Sequence, residues 1–231
     1  MKPYYEENGK TIYLGDSRSV LPELMESSVD SVITDPPYGI SFDTDYRRFT
    51  TGFNVPGKAH APVHGDTEPF DPTPWLNYRR VVLWGANCFS SRLPLGSWLV
   101  WDKRFGNGTA FLADAEAAWM NTGHGIYLHS ITQQGCIRPE PIDHPTQKPL
   151  AIMEWCIVRA KPQGVILDPY MGSGTTLVAA KNLGYPAIGI EIEERYCEIA
   201  AKRLSQEVFD FSSVIAPDGT RSAGKAGLEH E

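Results

Sequence analysis

The chain has 231 residues, 42% hydrophobic and 21% charged, which fits one globular domain with a sizeable core and excludes a low-complexity or disordered protein. A formal net charge of −7 argues against a uniformly basic nucleic-acid binder. No apolar run reaches the roughly 18 residues of a membrane span, and Met1–Glu7 lacks the apolar stretch of an export signal, so neither insertion nor secretion is expected.

In chain order, residues 11–14 predict a short strand ending at Gly15-Asp16, and residues 18–27 carry Val20, Leu21, Leu24 and Met25 at helical spacing. Ser31–Thr34 predicts a strand that two prolines stop, leaving Asp35 at its carboxyl end. Residues 41–75, rich in Gly, Pro, Thr and His, predict a long loop. Core strands are predicted at 81–84, 98–101 and 115–120, followed by an irregular, Gly- and Pro-rich stretch over 121–145. Pro149 begins a helix with Leu150, Ile152, Met153, Cys156 and Ile157 on one face, ending near Lys161-Pro162. Strand 165–167, a Gly-rich turn, helix 175–183, strand 187–190 and helix 193–207 then form a β-α-β-α unit, the mark of a parallel α/β sheet. Past residue 212 no apolar period remains, which predicts a disordered tail over 212–231.

The charge is unevenly spread. Residues 41–150 balance ten cations with ten acids, so a local basic face is permitted there between two acidic ends. Cys88, Cys136, Cys156 and Cys197 lie far apart without a C-x-x-C pair, which predicts buried thiols in place of disulfides or a zinc site.

Two turns carry chemistry. In Val165-Ile-Leu-Asp-Pro-Tyr-Met-Gly172-Ser-Gly174, the glycines allow close approach of a ligand, and the helix beyond offers free N–H groups. Glu191, seventeen residues past Gly174 at the end of the next strand, stands where nucleotide-type folds place the acid that binds ribose hydroxyls. An NAD site would want a third glycine where Leu177 stands. A turn that merely packs strand against helix is the bland alternative.

The other turn is Asp35-Pro36-Pro37-Tyr38. An exocyclic amino group of adenine or cytosine is a poor nucleophile, because its lone pair is delocalised into the ring. A carboxylate accepting one N–H and a rigid carbonyl accepting the other can aim that lone pair at an electrophilic methyl group. Asp35 and the carbonyl of Pro36 suit those roles, and Tyr38 offers a ring on which an extruded base can stack.

Asp35–Tyr38 and Asp168–Thr176 resemble motifs IV and I of the DNA amino-methyltransferases. Their order, with His144–Pro149 just before the Gly-rich turn, is similar to that of the circularly permuted β group. The resemblance covers roughly residues 11–207, and Trp101–Arg104 and Ala113–Trp119 are similar to stretches of small phage and prophage adenine methylases. It implies a single domain over 1–211 with a doubly wound, mostly parallel, seven-stranded sheet. The implied activity is methyl transfer from S-adenosylmethionine to N6 of adenine in double-stranded DNA, without a metal, in a bacterial or phage-infected cytoplasm.

By the same resemblance, Asp168, Tyr170, Gly172, Ser173, Gly174, Thr175 and Thr176 would contact the methionine part of the cofactor. Glu191 would take its ribose, Ile192 its adenine ring and Asp16 its adenine amino group. Thr146, Gln147 and Lys148 would close over the methionine carboxylate. A target-recognition region is confined to about 121–143 plus the loop 41–75, which implies a short or loosely specified site. Arg47, Arg48, Arg104 and Arg138 are candidates for DNA contact, with a solvated surface role equally open. Methylation of cytosine N4 by the same fold, of RNA adenine or of a protein amide, and a catalytically silent nucleic-acid-binding protein stand as alternatives. A homodimer and a partner nuclease are left open.

Overall fold

The computed structural model of the chain describes residues 1–24, 29–45, 62–104, 113–131 and 147–206. These form β1 (Tyr5–Glu7), β2 (Lys10–Leu14), α1 (Ser17–Val20), β3 (Val29–Thr34), β4 (Arg80–Trp84), β5 (Ser97–Asp102), β6 (Ala115–Met120) and β7 (Ile126–Ser130). They are followed by α2 (Leu150–Ala160), β8 (Val165–Asp168), α3 (Thr175–Asn182), β9 (Ala187–Glu191) and α4 (Glu194–Ser205).

One sheet runs in the order β1-β2-β9-β8-β3-β4-β6-β5-β7. Its five central strands are parallel, whereas β1 against β2, β4 against β6 and β5 against β6 are antiparallel. The described residues thus hold nine strands, not the seven expected. One addition is β1, joined to β2 through Asn8 and Gly9, both at positive φ, as a two-residue hairpin turn demands. The other is β7, which pairs with β5 within the stretch expected to be irregular.

The central strands are buried on both faces. Along β3 and β4, Ile33, Val82 and Trp84 meet one core cluster and Val32, Val81 and Leu83 the other, the alternation a pleated strand imposes. The first cluster takes in the apolar faces of α2, α3 and α4. The second contains Val20 of α1 with Phe70, Trp75 and Phe89, so among the described residues this face is covered by α1 and short 3-10 turns in place of long helices. The helix expected over 18–27 is a single turn, because Pro22 diverts the chain into the 3-10 turn Leu21–Glu23; residues 25–28 lie outside the described residues. Helix α2 stops where Lys161 adopts φ 51° ahead of Pro162.

Cys156 and Cys197 are buried free thiols as expected, but Cys88 is exposed; Cys136 lies outside the described residues. The tail expected over 212–231 and part of the loop 41–75, from 46 to 61, also lie outside them. No helix among the described residues is long and apolar enough to cross a membrane, and these residues contain no cluster that could hold a metal.

Candidate active site

Parallel pairing puts the ends of β2, β9, β8, β3 and β4 on one edge of the sheet. The chain leaves β8 toward β9 and leaves β3 toward β4 in opposite directions. The gap between β8 and β3 is therefore a topological switch point, where open α/β sheets form their clefts. A cleft lies there, lined by Asp35, Gln147, Lys148, Met153, Asp168, Tyr170, Met171, Gly172, Ser173, Thr175 and Thr176. The two turns singled out in the sequence thus share one cavity.

On the β8 side, Gly172 (φ 51°) and Gly174 (φ 79°) adopt left-handed conformations, and a Cβ at Gly174 would lie 2.7 Å from Ala200 of α4. Arg203 of α4 braces the same turn, donating to the Ser173 carbonyl at 2.7 Å and to the Thr175 hydroxyl at 3.1 Å. Sequence reasoning missed this residue, because its partners lie some 30 positions away. Glu191 accepts from the N–H of Gly172 at 2.9 Å and that of Glu193 at 2.8 Å; burial raises its pKa, opposed by those bonds. Asp168 is 2% exposed and accepts from Thr34 (2.6 Å), Thr176 (2.5 Å) and the N–H of Tyr170 (3.2 Å). All three donors are neutral, so burial prevails and lifts its pKa to about 6. A buried carboxylate met by neutral donors, beside a Gly-rich turn and a ribose-type acid, fits a ligand with an ammonium-bearing amino-acid end and a nucleoside end.

Gln147 accepts from the Ser173 hydroxyl at 3.0 Å and lines the cleft. Asp16 caps α1 through the Arg18 N–H and pairs with the Arg18 guanidinium at 2.6 Å. Ile192 is 38% exposed just past Glu191.

On the β3 side, the Asp35 carboxylate holds two donors. The Tyr38 hydroxyl donates to Oδ1 at 2.6 Å and the Lys148 ammonium to Oδ2 at 2.6 Å. Lys148, expected at the methionine carboxylate, lines the cleft, and its Nζ contacts Asp35 and, at 3.0 Å, Glu116 of β6. The reason is charge: a side chain 6% exposed seeks anionic partners, and these two carboxylates hold its pKa well above the usual value despite burial. Burial raises the pKa of Asp35, and Lys148 offsets part of that rise. The Tyr38 ring packs against the backbone after β4, where Gly85 (φ 66°) leaves it room; a Cβ there would fall within the ring. The turn is further braced by Asp66, 5% exposed, which accepts from the N–H groups of Gly39 at 2.8 Å and Phe42 at 2.6 Å. Gly85, Glu116 and Asp66 carried no local sign of a role.

Arg104 is engaged with Asp102 at 2.9 Å on a partly exposed surface, and this pairing holds the Asp102 carboxyl down at about 2. Arg47, Arg48, Arg138 and Thr146 lie outside the described residues, as does 132–143 of the expected recognition region.

Residues 126–202 match the DNA methylase family of N6 and N4 methyltransferases. The chain is 28% identical to the type II methyltransferase M.ScaI of Streptomyces caespitosus, over 89% of this chain and 84% of that protein. Among solved structures, the M1.HpyAVI–SAM complex matches 84% of this chain and 99% of its own at TM-score 0.54 and 24% identity. PvuII DNA methyltransferase, described as cytosine-N4-specific, matches 92% of both chains at TM-score 0.56 and 16% identity. At such identities these two likenesses speak for the fold. The family match over residues 126–202 and the likeness to M.ScaI along most of both chains make this chain similar to DNA methyltransferases, and the cofactor that this likeness supports is S-adenosylmethionine.

Proposed function

We propose that the chain methylates N6 of adenine in duplex DNA, acting on a base rotated out of the helix, and that it is a permuted, β-group enzyme akin to the small phage and prophage adenine methylases. The observation that carries this reading is the single cleft holding both the Asp35 carboxylate and the Gly-rich turn, so that a target amine and a bound donor can meet.

Asp168, Gln147 and the turn 172–176 hold the methionine portion of the donor, Glu191 its ribose, Ile192 and Asp16 its adenine. When bound, S-adenosylmethionine would supply a sulfonium-activated methyl group, to which the amino nitrogen would bond in line as S-adenosylhomocysteine leaves and that nitrogen loses a proton. Asp35 accepts one N–H of the target amine and the Pro36 carbonyl the other. Although Tyr38 and Lys148 already donate to Asp35, each carboxylate oxygen keeps a second lone pair for the substrate. Tyr38 lies beside that position, where its ring can bear the extruded base. The choice of adenine rests on Asp, not Ser, at the head of the turn.

The test is transfer of labelled methyl to unmethylated duplex DNA followed by nucleoside analysis. Wild-type protein is expected to yield N6-methyladenine. Asp35→Ala is expected to lose on the order of 100- to 1,000-fold in rate while still binding S-adenosylmethionine. Label in N4-methylcytosine would move the target to cytosine, and near-normal turnover by Asp35→Ala would remove Asp35 from the mechanism.

A further inference from the structure

Lys103 and Glu116 lie in the two stretches Trp101–Arg104 and Ala113–Trp119, and the methyl-transfer reading gives neither residue a task. Strands β5 and β6 pair antiparallel with Asp102 opposite Ala115, which brings the residue after β5 beside the second residue of β6. There Lys103, 5% exposed, donates to Glu116 Oε1 at 3.0 Å, while Lys148 contacts Oε2 of the same carboxylate at 3.0 Å. Lys148 in turn donates to Asp35 at 2.6 Å. Four groups of alternating sign, Lys103, Glu116, Lys148 and Asp35, therefore run in one hydrogen-bonded line from the β5–β6 pair to the cleft.

A pair of like-sized ions in the core rarely stabilises a fold beyond what apolar side chains would, so burying two lysines and two carboxylates together calls for another reason. The chemistry at Asp35 offers one. During methyl transfer the target nitrogen becomes cationic, and an ammonium 2.6 Å from the accepting carboxylate would weaken its pull if that charge were uncompensated. Glu116 supplies the compensation: Lys148 divides its charge between two carboxylates, and Asp35 retains negative charge for the substrate.

We propose that Glu116 and Lys103 are positioning residues for methyl transfer: through Lys148 they fix where the Asp35 carboxylate points and how much negative charge it presents to the target amine. This rests on the proposed role of Asp35. The groups that face Lys148 are Asp35 and Tyr38 after β3, Glu116 of β6, the Trp84 ring of β4 at 5.5 Å and the Cys156 thiol of α2, whose pKa burial pushes far up. Asp168 at the end of β8 acts on Asp35 by repulsion. Although burial alone would raise it, the two ammonium groups hold the Glu116 carboxyl at about 2, so it stays ionised wherever the enzyme works. The acid limb of the rate profile then reports protonation of Asp35.

The experiment is the single-turnover rate of methyl transfer to duplex DNA across the acid range, with S-adenosylmethionine affinity measured alongside. Glu116→Gln removes a repelling charge from Asp35 and leaves Lys148 to it alone. The expected result is a plateau rate lower by about 10- to 100-fold, an acid limb moved to lower pH and unchanged cofactor affinity. Lys103→Met draws Lys148 toward Glu116, so its limb is expected to move to higher pH. Glu116→Asp should recover most of the rate lost by the Gln variant. A merely structural role would lower rates without moving the two limbs in opposite directions. Limbs that stay put, or move together, in variants that bind the cofactor normally would overturn the inference and leave the role of Asp35 standing. If Glu116→Gln does not fold, the upward shift in Lys103→Met decides. Full turnover by Asp35→Ala would overturn both.

Discussion

Asp168→Asn should make the ligand-free protein more stable while disabling it. The carboxyl is 2% exposed, its recorded donors are two hydroxyls and one N–H, and burial lifts its pKa from 3.8 to about 6. An acid raised in the folded state is protonated in both states below pH 4 and costs nothing there. Above pH 6 it is ionised in both, and the full cost of its burial is present. At 1.36 kcal/mol per pKa unit that cost is about 3 kcal/mol at neutral pH. An Asn carries no charge, and the hydroxyls of Thr34 and Thr176 can rotate to accept from its amide, so much of the cost is relieved. A chain of this size gains roughly 2–4 °C in Tm per kcal/mol. Thermal unfolding at pH 7 without ligand should therefore rise by several degrees in the variant, and the gain should shrink as pH is lowered from 7 to 4. Added S-adenosylmethionine should reverse the order, since only the wild type keeps the carboxylate that answers the ligand's positive charge. A variant less stable than wild type at pH 7, or a difference that does not change with pH, would refute the account of Asp168.

Gly85→Ala places a Cβ within the Tyr38 ring at a left-handed backbone position, so the ring must leave Asp35; single-turnover rate should fall on the order of 100-fold while circular dichroism shows an intact fold. Arg203→Met removes the brace on Ser173 and Thr175 without touching the cleft, and calorimetry should show S-adenosylmethionine bound about 5- to 10-fold more weakly, with the rate at saturation little changed.

What the sequence disclosed follows from where each signal is written. Strands β3, β8 and β9 are short apolar runs punctuated by Pro or Gly, and α2 and α4 carry their buried faces at helical spacing, so local chemistry suffices for them. Asn8-Gly9 was an equally local hairpin signal, but β1 beyond it has only three residues and no buried one. Strand β7 hides because Ile126 and Leu128 are exposed at the sheet edge, leaving no buried run to detect. The site divides the same way. Asp35, Asp168 and Glu191 are legible as candidates because each ends a strand beside a breaker. The contacts of Lys148 with Asp35 and Glu116 are not legible in the sequence, because Glu116 lies 32 residues earlier on a strand whose position only the sheet order fixes.

The contrast between the two cleft carboxylates bears on which reactant goes where. Asp35 has an ammonium at 2.6 Å and a phenol at 2.6 Å, so its charge is already answered and a neutral amine can be received without a large change in solvation. Asp168 has only neutral donors recorded around it and is held near protonation, an arrangement that repays itself when a cation arrives. Burial raises both carboxylates, and they differ in what answers their charge, an ammonium at Asp35 and neutral donors at Asp168. The donor carries the sulfonium and the amino-acid ammonium, and the base carries the neutral amine. Charge therefore favours the proposed placement of the donor on the β8 side and the base on the β3 side. Reversing them would set a cationic ligand beside Lys148 and leave Asp168 buried without a counter-ion, and both changes cost free energy.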